Sequence, residues 1–488
     1  MLSKRRRRFR NKKGNRFRTR TKMRNPEEIR RAGELSSREW IRLIRLKLGA
    51  KEKIPQPELN ALVLSWVRSH PAGEAARLLP RLVDAAARLQ SLQTAWNLLS
   101  FLEVALKLRR PRVGIYDHAF HYIGGAQKYG ATIAQTLQQD FDVTLLTNRP
   151  VALSDLEAWY GIDLSRSQIL VIPLLFFEQK GKASEIIDVG EVDTRGENPF
   201  DAVARESGNY DIFVNNSMLE MVYPLANRSL FICHFPEREK SRFFYVDRYT
   251  EIVYNSFYTA GWIERRWNLR PHKHIYPPVD MEPEVYPRNK ENIILSVGRF
   301  DAGGNKQQIE IVQAFEELVR SHPQEFQGWK LVLAGGSPPS NPYLEKIRAH
   351  LQETKTPGIE LQINIPALAL RSVYEKAKIF WHFCGLGQTD PAKIEHFGMT
   401  VAEAIQNGCV PVVFRGGGQT EIVEPGVSGF LFSSERELAE ITLRLLRNPE
   451  ELGKMSARAY QAGKKFGGEV FAACVREYFD RLLAAWLS

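Results

Sequence analysis

Long apolar runs are missing from this chain of 488 residues. None approaches the ~18 residues that a membrane span needs. The basic N-terminus is not followed by an apolar run, so it does not read as a secretory signal. Cysteine is scarce: Cys233, Cys384, Cys409 and Cys474 are scattered, with no CxxC and no metal spacing. Three of them sit in apolar, strand-like runs, which points to reduced, buried thiols in a cytoplasmic protein. Acidic residues are missing from residues 1–24, which hold thirteen Lys and Arg. The remainder carries 55 basic against 56 acidic residues, so the net charge of +12 belongs to a tail on a neutral body. There is no GxxxxGK[ST] phosphate loop, and no convincing ribose-binding acid follows a dinucleotide-type glycine loop. What is present is ample core material, 43 % hydrophobic and 10 % aromatic, which excludes wholesale disorder. The length predicts two to four domains.

Residues 1–24 are polar and basic and read as a disordered tail, suited to nucleic acid, anionic lipid or no dedicated partner. SSREWIRLIRLKLG reads as a short helix, with Ser36 and Glu39 as a capping box and Gly49 as the stop. Its apolar face of Trp40, Ile41, Ile44 and Leu48 lies beside Arg38, Arg42, Arg45 and Lys47. That face either lies on a membrane surface or packs on the next segment, and the sequence leaves both open. Apolar spacing over 74–108 predicts helix, broken near Pro80. Residues 25–110 are thus expected to be an all-helical extension. From residue 111, strand-like runs (RVGIYDH, DVTLLTN, YDIFVNNS, LFICHF, EIVYNSF) alternate with helical ones around an irregular stretch, 154–208. A second series (ENIILSVGRF, WKLVLAGG, IELQINIP, KIFWHFC, CVPVVF, GFLF) follows YPPVDMEPEVYPRNKEN, which reads as a linker. Such alternation implies parallel sheets of crossover units, with sites at the carboxyl ends of the strands. The expected organisation is an α/β chain of two facing doubly wound domains, 111–288 and 289–464. A helix over 465–488 is expected to return to the first of them.

The strongest motif is IEHFGMTVAEAIQNGCVPVV. Gly398 permits close backbone approach, and a helix starts near Met399, where amides and the dipole suit a pyrophosphate. Glu395 on the entering loop and Glu403 one turn into the helix can accept hydrogen bonds from sugar hydroxyls. Asp140-Phe141-Asp142 imitates a metal-binding Asp-x-Asp but falls where a polar turn is expected.

This constellation resembles the family-4 retaining glycosyltransferases, which have the GT-B fold of two Rossmann-like domains. The Glu-seven-Glu element is followed by Ala404, Gly408 and Pro411-Val412-Val413. SVGRF with Lys306, LVLAGG with Gly335 and Gly336, GGGQTEIVEPGVSGFLF, and IGGAQKYGATIAQTL also resemble that family, over about residues 112–484. The resemblance implies that Arg299 and Lys306 bind the donor diphosphate, helped by Gly124, Gly125 and the Phe397-Gly398-Met399 loop. It implies that Glu403 binds the ribose, and that Glu395 and His234 act at the transferring sugar. Each has a plainer reading: a surface ion pair for Arg299, a helix-capping carboxylate for Glu403, a solvated loop for Glu395, a tight turn for the glycines, a structural strand end for His234. His118, His121 and His396 are weaker candidates.

The implied function is retaining transfer of a hexosyl unit from a nucleotide-diphosphate sugar to a glycan or polyprenyl- or lipid-linked acceptor, as in polysaccharide biosynthesis. No cofactor and no metal are expected, and no carboxylate is assigned as a nucleophile. The acceptor is expected on the first domain, with 154–208 as its specificity element. Residues 1–50 point to an anionic membrane surface, hence a cytoplasmic enzyme at the inner face of the cell membrane. Two alternatives stand beside it: a nucleic-acid-binding protein acting through its tail on an inactive GT-B scaffold, and another GT-B enzyme, an epimerase or a phosphorylase.

Overall fold

The computed structural model describes residues 37–49, 54–174, 196–236, 240, 242–281 and 283–487. The basic tail, the Ser36 end of the expected capping box and residues 175–195 of the expected specificity stretch lie outside them. The chain divides into a helical unit, made of the first 110 residues with Leu483–Ser488, and an α/β unit over Pro111–Leu482.

The helical unit contains α1 (Ser37–Leu48), α2 (Gln56–Ser69), α3 (Ala72–Leu89) and α4 (Leu92–Ala105). Its core answers the question left open for α1. Trp40, Ile44 and Leu48 are at most 2 % exposed, and Trp40 stacks on Trp66 at 4.4 Å. The apolar face of α1 is therefore spent on packing. Pro80 does not break its helix: α3 runs through it, with the proline exposed and Ala75, Leu82 and Ala86 buried. Burial of that stripe outweighs the lost backbone bond, which costs about 3 kcal/mol. The break comes instead at Gln90, where Ser91 accepts the Thr94 amide and caps α4.

The α/β unit holds two parallel sheets. The first combines β1 (Arg112–Tyr116), β2 (Asp142–Thr147), β3 (Gln168–Val171), β4 (Ile212–Asn215), β5 (Arg228–Cys233), β6 (Glu251–Tyr254) and β7 (Lys273–His274) in the order 3-2-1-4-5-6-7. Helices α5 (Gly125–Leu137), α6 (Leu153–Tyr160), α7 (Asp201–Ser207) and α8 (Phe257–Trp262) connect them. The stretch expected to be irregular thus contains α6, α7 and edge strand β3, whose half-exposed QILV is too short to show a pattern.

The second sheet combines β8 (Glu291–Val297), β9 (Lys330–Gly335), β10 (Ile359–Ile363), β11 (Ala377–His382), β12 (Val410–Phe414) and β13 (Phe430–Phe432) in the order 10-9-8-11-12-13. Its helices are α9 (Gln308–Ser321), α10 (Pro342–Thr354), α11 (Ala367–Lys376), α12 (Met399–Gln406), α13 (Gln419–Ile422), α14 (Glu435–Arg447) and α15 (Pro449–Gly463). Both faces of this sheet are buried, which explains why its strands read as continuous apolar runs. Ile294, Leu331, Ile379 and Val412 feed one core, and Leu295, Val332, Phe380 and Val413 the other. Both sheets reverse direction beside their first strand, so each has a crevice at the carboxyl ends of its central strands. These are the two doubly wound, Rossmann-like domains that the sequence implies.

The proline-rich connection is not a loose linker. Val279 is fully buried and bridges Gly467, and Tyr286 bonds Ser456 at 2.8 Å. The last helix, α16 (Gly468–Leu487), meets the first sheet domain: Phe471 lies edge-on to Tyr129, and the Tyr478 hydroxyl donates to Glu251 at 2.6 Å.

Candidate active site

At the end of β8 the chain passes through Gly298 and Arg299. A Cβ on Gly335 would lie 2.0 Å from the Gly298 carbonyl, so bare glycine lets the ends of β8 and β9 close up. The exposed Arg299 side chain donates to the Tyr122 hydroxyl of the first domain at 3.3 Å. Lys306, just before α9, turns back under this loop, and its ammonium lies 2.5 Å from Glu395 Oε2. His382, the last residue of β11, donates from Nε2 to that same oxygen at 2.9 Å. Neither donor engages Oε1.

Burial alone would raise the Glu395 carboxyl, but Lys306 and His382 overcome it and hold the group well below the usual range. Burial would likewise lower Lys306, and Glu395 more than reverses that. Burial pushes His382 down, so it is a neutral donor. Cys384 lies 3.8 Å from Lys306 Nζ, and burial pushes its thiol up to about 12. His382, Cys384 and Glu395 place three ligand-type atoms within 4.8 Å of one another. The Lys306 ammonium already neutralises the carboxylate there, so this group is built as an ion pair.

The loop carrying Glu395 rests on a bed of glycine. The Gly418 amide donates to the Glu395 carbonyl at 2.8 Å, and a Cβ on Gly418 would come within 2.2 Å of the His396 carbonyl. Phe397 points into the core beside Tyr276 and Phe466, leaving only its backbone toward any ligand. Gly398, at φ 107°, turns the chain into α12, whose first residue is Met399. Glu403 accepts from the Tyr374 hydroxyl at 2.7 Å; burial raises its carboxyl, against the pull of Lys128.

The first domain supplies a second helix start at the same place. Gly124 precedes α5 with no side-chain cap, and a Cβ on Gly125 would fall 2.7 Å from Met399 Sδ. Two uncapped helix N-termini therefore meet, each a source of positive potential.

His234 follows β5. Asn216 donates from Nδ2 to Asp117 Oδ2 (2.7 Å) and to the Ala126 carbonyl (2.8 Å), which leaves its Oδ1 to accept from His234 Nε2 at 3.2 Å. Burial, outweighing the nearby Asp117 carboxylate, holds His234 down to about 4, so the ring is neutral. Across the cleft, Ser256 donates to the His396 carbonyl at 2.6 Å, and the His396 ring stacks on Phe235 at 4.0 Å.

The structure thus draws Arg299, Lys306, Glu395, Gly398 and Met399 together with Gly124 and Gly125, and sets Glu403 further along α12. Asp140 is an exposed turn residue and Asp142 opens β2, while Phe141 packs on Phe479. Asp117, Lys128, Asn216, Tyr374 and His382 were not singled out from the sequence. Only their positions, at strand ends for Asp117, Asn216 and His382, in the first turn of α5 for Lys128 and in the last turn of α11 for Tyr374, could have marked them, and that requires the topology.

Residues 280–465 match the family model described as "Glycosyl transferases group 1". Over 302 residues the chain is 26 % identical to the "Alpha-1,3/1,6-mannosyltransferase ALG2" of Homo sapiens, covering 54 % of this chain and 70 % of that protein. Over 220 residues it is 27 % identical to the Dictyostelium discoideum "GDP-Man:Man(3)GlcNAc(2)-PP-Dol alpha-1,2-mannosyltransferase", covering 43 % and 42 %. Among solved structures, Anabaena Alr3699/HepE in complex with UDP and glucose shares the fold with a TM-score of 0.56 at 16 % identity. That match covers 76 % of this chain and all of the other.

Proposed function

We propose that this chain, whose residues 280–465 match the model described as "Glycosyl transferases group 1", is a GT-B glycosyltransferase that carries out the following reaction. A hexosyl unit moves from a nucleoside-diphosphate sugar to a glycan or lipid-linked acceptor, with retention of anomeric configuration and without a metal ion. The carrying observation is the meeting of the Lys306–Glu395 pair with two glycine-started helices at the ends of both sheets.

In this reading Arg299 clasps the diphosphate with its fork and Lys306 adds a point charge. Both helix starts add amides and dipole. As the bond from the sugar's anomeric carbon to the diphosphate breaks, negative charge grows on the leaving phosphate, and these groups stabilise it. The acceptor hydroxyl forms the new bond on the same face, and its proton passes to a leaving phosphate oxygen. The products are the glycoside and the nucleoside diphosphate. Glu403 accepts the ribose hydroxyls. Glu395, with Oε2 engaged by the protein, offers Oε1 to the donor sugar. His234 contacts that sugar as a neutral ring. Closure of the domains excludes water.

The names of the two relatives favour a mannosyl donor, and that of the Dictyostelium protein, with GDP-Man and a PP-Dol-linked glycan, favours GDP-mannose and a lipid-linked acceptor. Such an acceptor is compatible with a cytoplasmic enzyme held peripherally at the inner face of the cell membrane. The test is nucleoside-diphosphate release from GDP-, UDP-, ADP- and TDP-sugars, in a chelator and without acceptor, by wild type and Glu403→Ala. Hydrolysis of one donor by wild type alone supports the proposal. Failure to bind any donor overturns it.

A further inference from the structure

Asn216 follows β4 and is fully buried. The groups around its side chain leave it one orientation. Its Nδ2 lies 2.8 Å from the Ala126 carbonyl and 2.7 Å from Asp117 Oδ2. A backbone carbonyl can only accept, so the nitrogen must face that side and Oδ1 must face His234. Asp117, also fully buried, is fixed in turn. Its Oδ1 accepts the Ala119 amide at 2.8 Å, and Gln127 Nε2 donates to its Oδ2 at 3.1 Å. A Cβ on Gly130 would fall 2.9 Å from Asn216 Nδ2, so bare glycine in α5 makes room for the amide.

Fixing the amide fixes the proton on the imidazole. The Asn216 oxygen, 3.2 Å from His234 Nε2, has no proton to give, so Nε2 carries one. The ring is neutral, because burial outweighs Asp117 and lowers it to about 4. A neutral imidazole holds a single ring proton, so Nδ1 holds a lone pair. The other contacts of His234 leave that atom alone. Tyr129 lies edge-on to the ring at 5.4 Å, Thr259 donates to the backbone carbonyl at 3.0 Å, and the backbone amide meets Met218 Sδ at 3.2 Å. Nδ1 therefore has no partner among the described residues, and the residue is half-buried rather than sealed. His396 sits close enough for a charge on His234 to lower it, which puts the ring near the loop that carries Glu395.

We propose that Asn216 is a positioning residue: it locks His234 in the tautomer that offers a lone pair at Nδ1, and so selects a hydroxyl on the bound sugar. This rests on the transferase reading above and adds a rule to it. The sugar must bring an O–H to His234, and an analogue without that hydroxyl leaves the lone pair facing nothing. In the other tautomer, Nε2 and the Asn216 oxygen would oppose lone pair to lone pair, and Nδ1 would become a donor.

The test has two parts. In the first, the full chain is labelled with ¹⁵N-histidine and its ring-nitrogen shifts are recorded near neutral pH without donor, His234→Asn identifying the signal. Wild type is expected to show a protonated, pyrrole-type Nε2 and a bare, pyridine-type Nδ1. Asn216→Leu removes the acceptor, and Asn216→Ala admits a water that can give or take a hydrogen bond. Each variant, once a thermal melt shows it folded, is expected to show both tautomers in exchange. In the second part, turnover of the donor that wild type accepts is compared with that of its singly deoxygenated hexosyl analogues. One analogue is expected to lose at least about tenfold in kcat/KM with wild type, and that penalty should shrink severalfold in the Asn216 variants. A protonated Nδ1 in wild type, or folded variants that keep the single Nε2–H form, overturns the proposal. So does a wild type indifferent to every deoxygenated analogue, or an unchanged penalty in variants whose tautomer has shifted. The first part uses no donor, so its failure leaves the transferase reading standing. Absence of donor binding overturns that reading and the sugar contact together, while the tautomer is still read.

Discussion

A Cβ on Gly417 would lie 2.0 Å from the carbonyl oxygen of Glu395. Gly417 also sits at φ +69°, in the left-handed region that side chains adopt at a cost. The loop after β12 is therefore shaped around the peptide that carries the site's most strongly held carboxylate.

Gly417→Ala should displace Glu395 and strain its own backbone. The expected result is at least about a tenfold fall in transfer rate, with a stability loss of about 1–3 kcal/mol. Urea unfolding and donor turnover check the two parts separately. Full activity in a normally folded variant would show that the position of Glu395 does not matter to the reaction.

Glu403→Ala removes the proposed acceptor for ribose hydroxyls and leaves the Tyr374 hydroxyl only its longer bond to the Thr400 carbonyl, at 3.4 Å. Donor-nucleotide affinity should fall about tenfold to a hundredfold, as read by calorimetry. Tyr374→Phe keeps the carboxylate and should cost less. Unchanged affinity in Glu403→Ala would remove that residue from the site.

In the proposed reaction two cationic side chains and two helix starts supply positive charge to the leaving diphosphate, so transfer should survive a chelator. Lys306→Met should lower the rate on the order of a hundredfold or more, and Mn²⁺ should not restore it. Chelator-induced loss of wild-type activity that Mn²⁺ reverses would refute the electrostatic clamp.

Three half-buried histidines make stability depend on pH. Burial lowers His234, His274 and His396 from 6.5 to about 4 each. As pH falls through 6.5 the unfolded chain takes up protons that the folded one refuses until about 4. Their stabilising contribution is thus complete above 6.5 and is lost progressively between 6.5 and 4. Glu403 and Glu421, raised by burial, take up protons earlier in the folded state and reduce the net slope. Urea unfolding across this window should show falling stability, with a smaller slope in His234→Asn. An identical slope in that variant would mean that His234 takes up its proton equally in the folded and unfolded chains.

The sequence made the second sheet legible because strands buried on both faces, such as those holding Ile294 and Val412, are unbroken apolar runs. Glu395, Gly398 and Glu403 could be picked out because they stand at fixed spacing around one helix start, and Lys306 because it follows the SVGRF strand–loop. Edge strand β3 escaped notice, since a half-exposed four-residue strand has no period to detect. The fate of the α1 face was undecidable: an amphipathic helix looks alike whether Trp40 meets a lipid or Trp66. His382 and Asn216 were hidden for a related reason, since each earns its role from partners distant in sequence.

The successive carbonyls of Glu395 and His396 are held from different domains. Gly418 holds the Glu395 carbonyl from the second, while Ser256 and Phe235 hold His396 from the first. Any separation of the two sheets must either snap these ties or tug the backbone that aims the Glu395 carboxylate. In the proposed reaction, opening of the cleft therefore acts on the donor-sugar contact through the loop that carries Glu395.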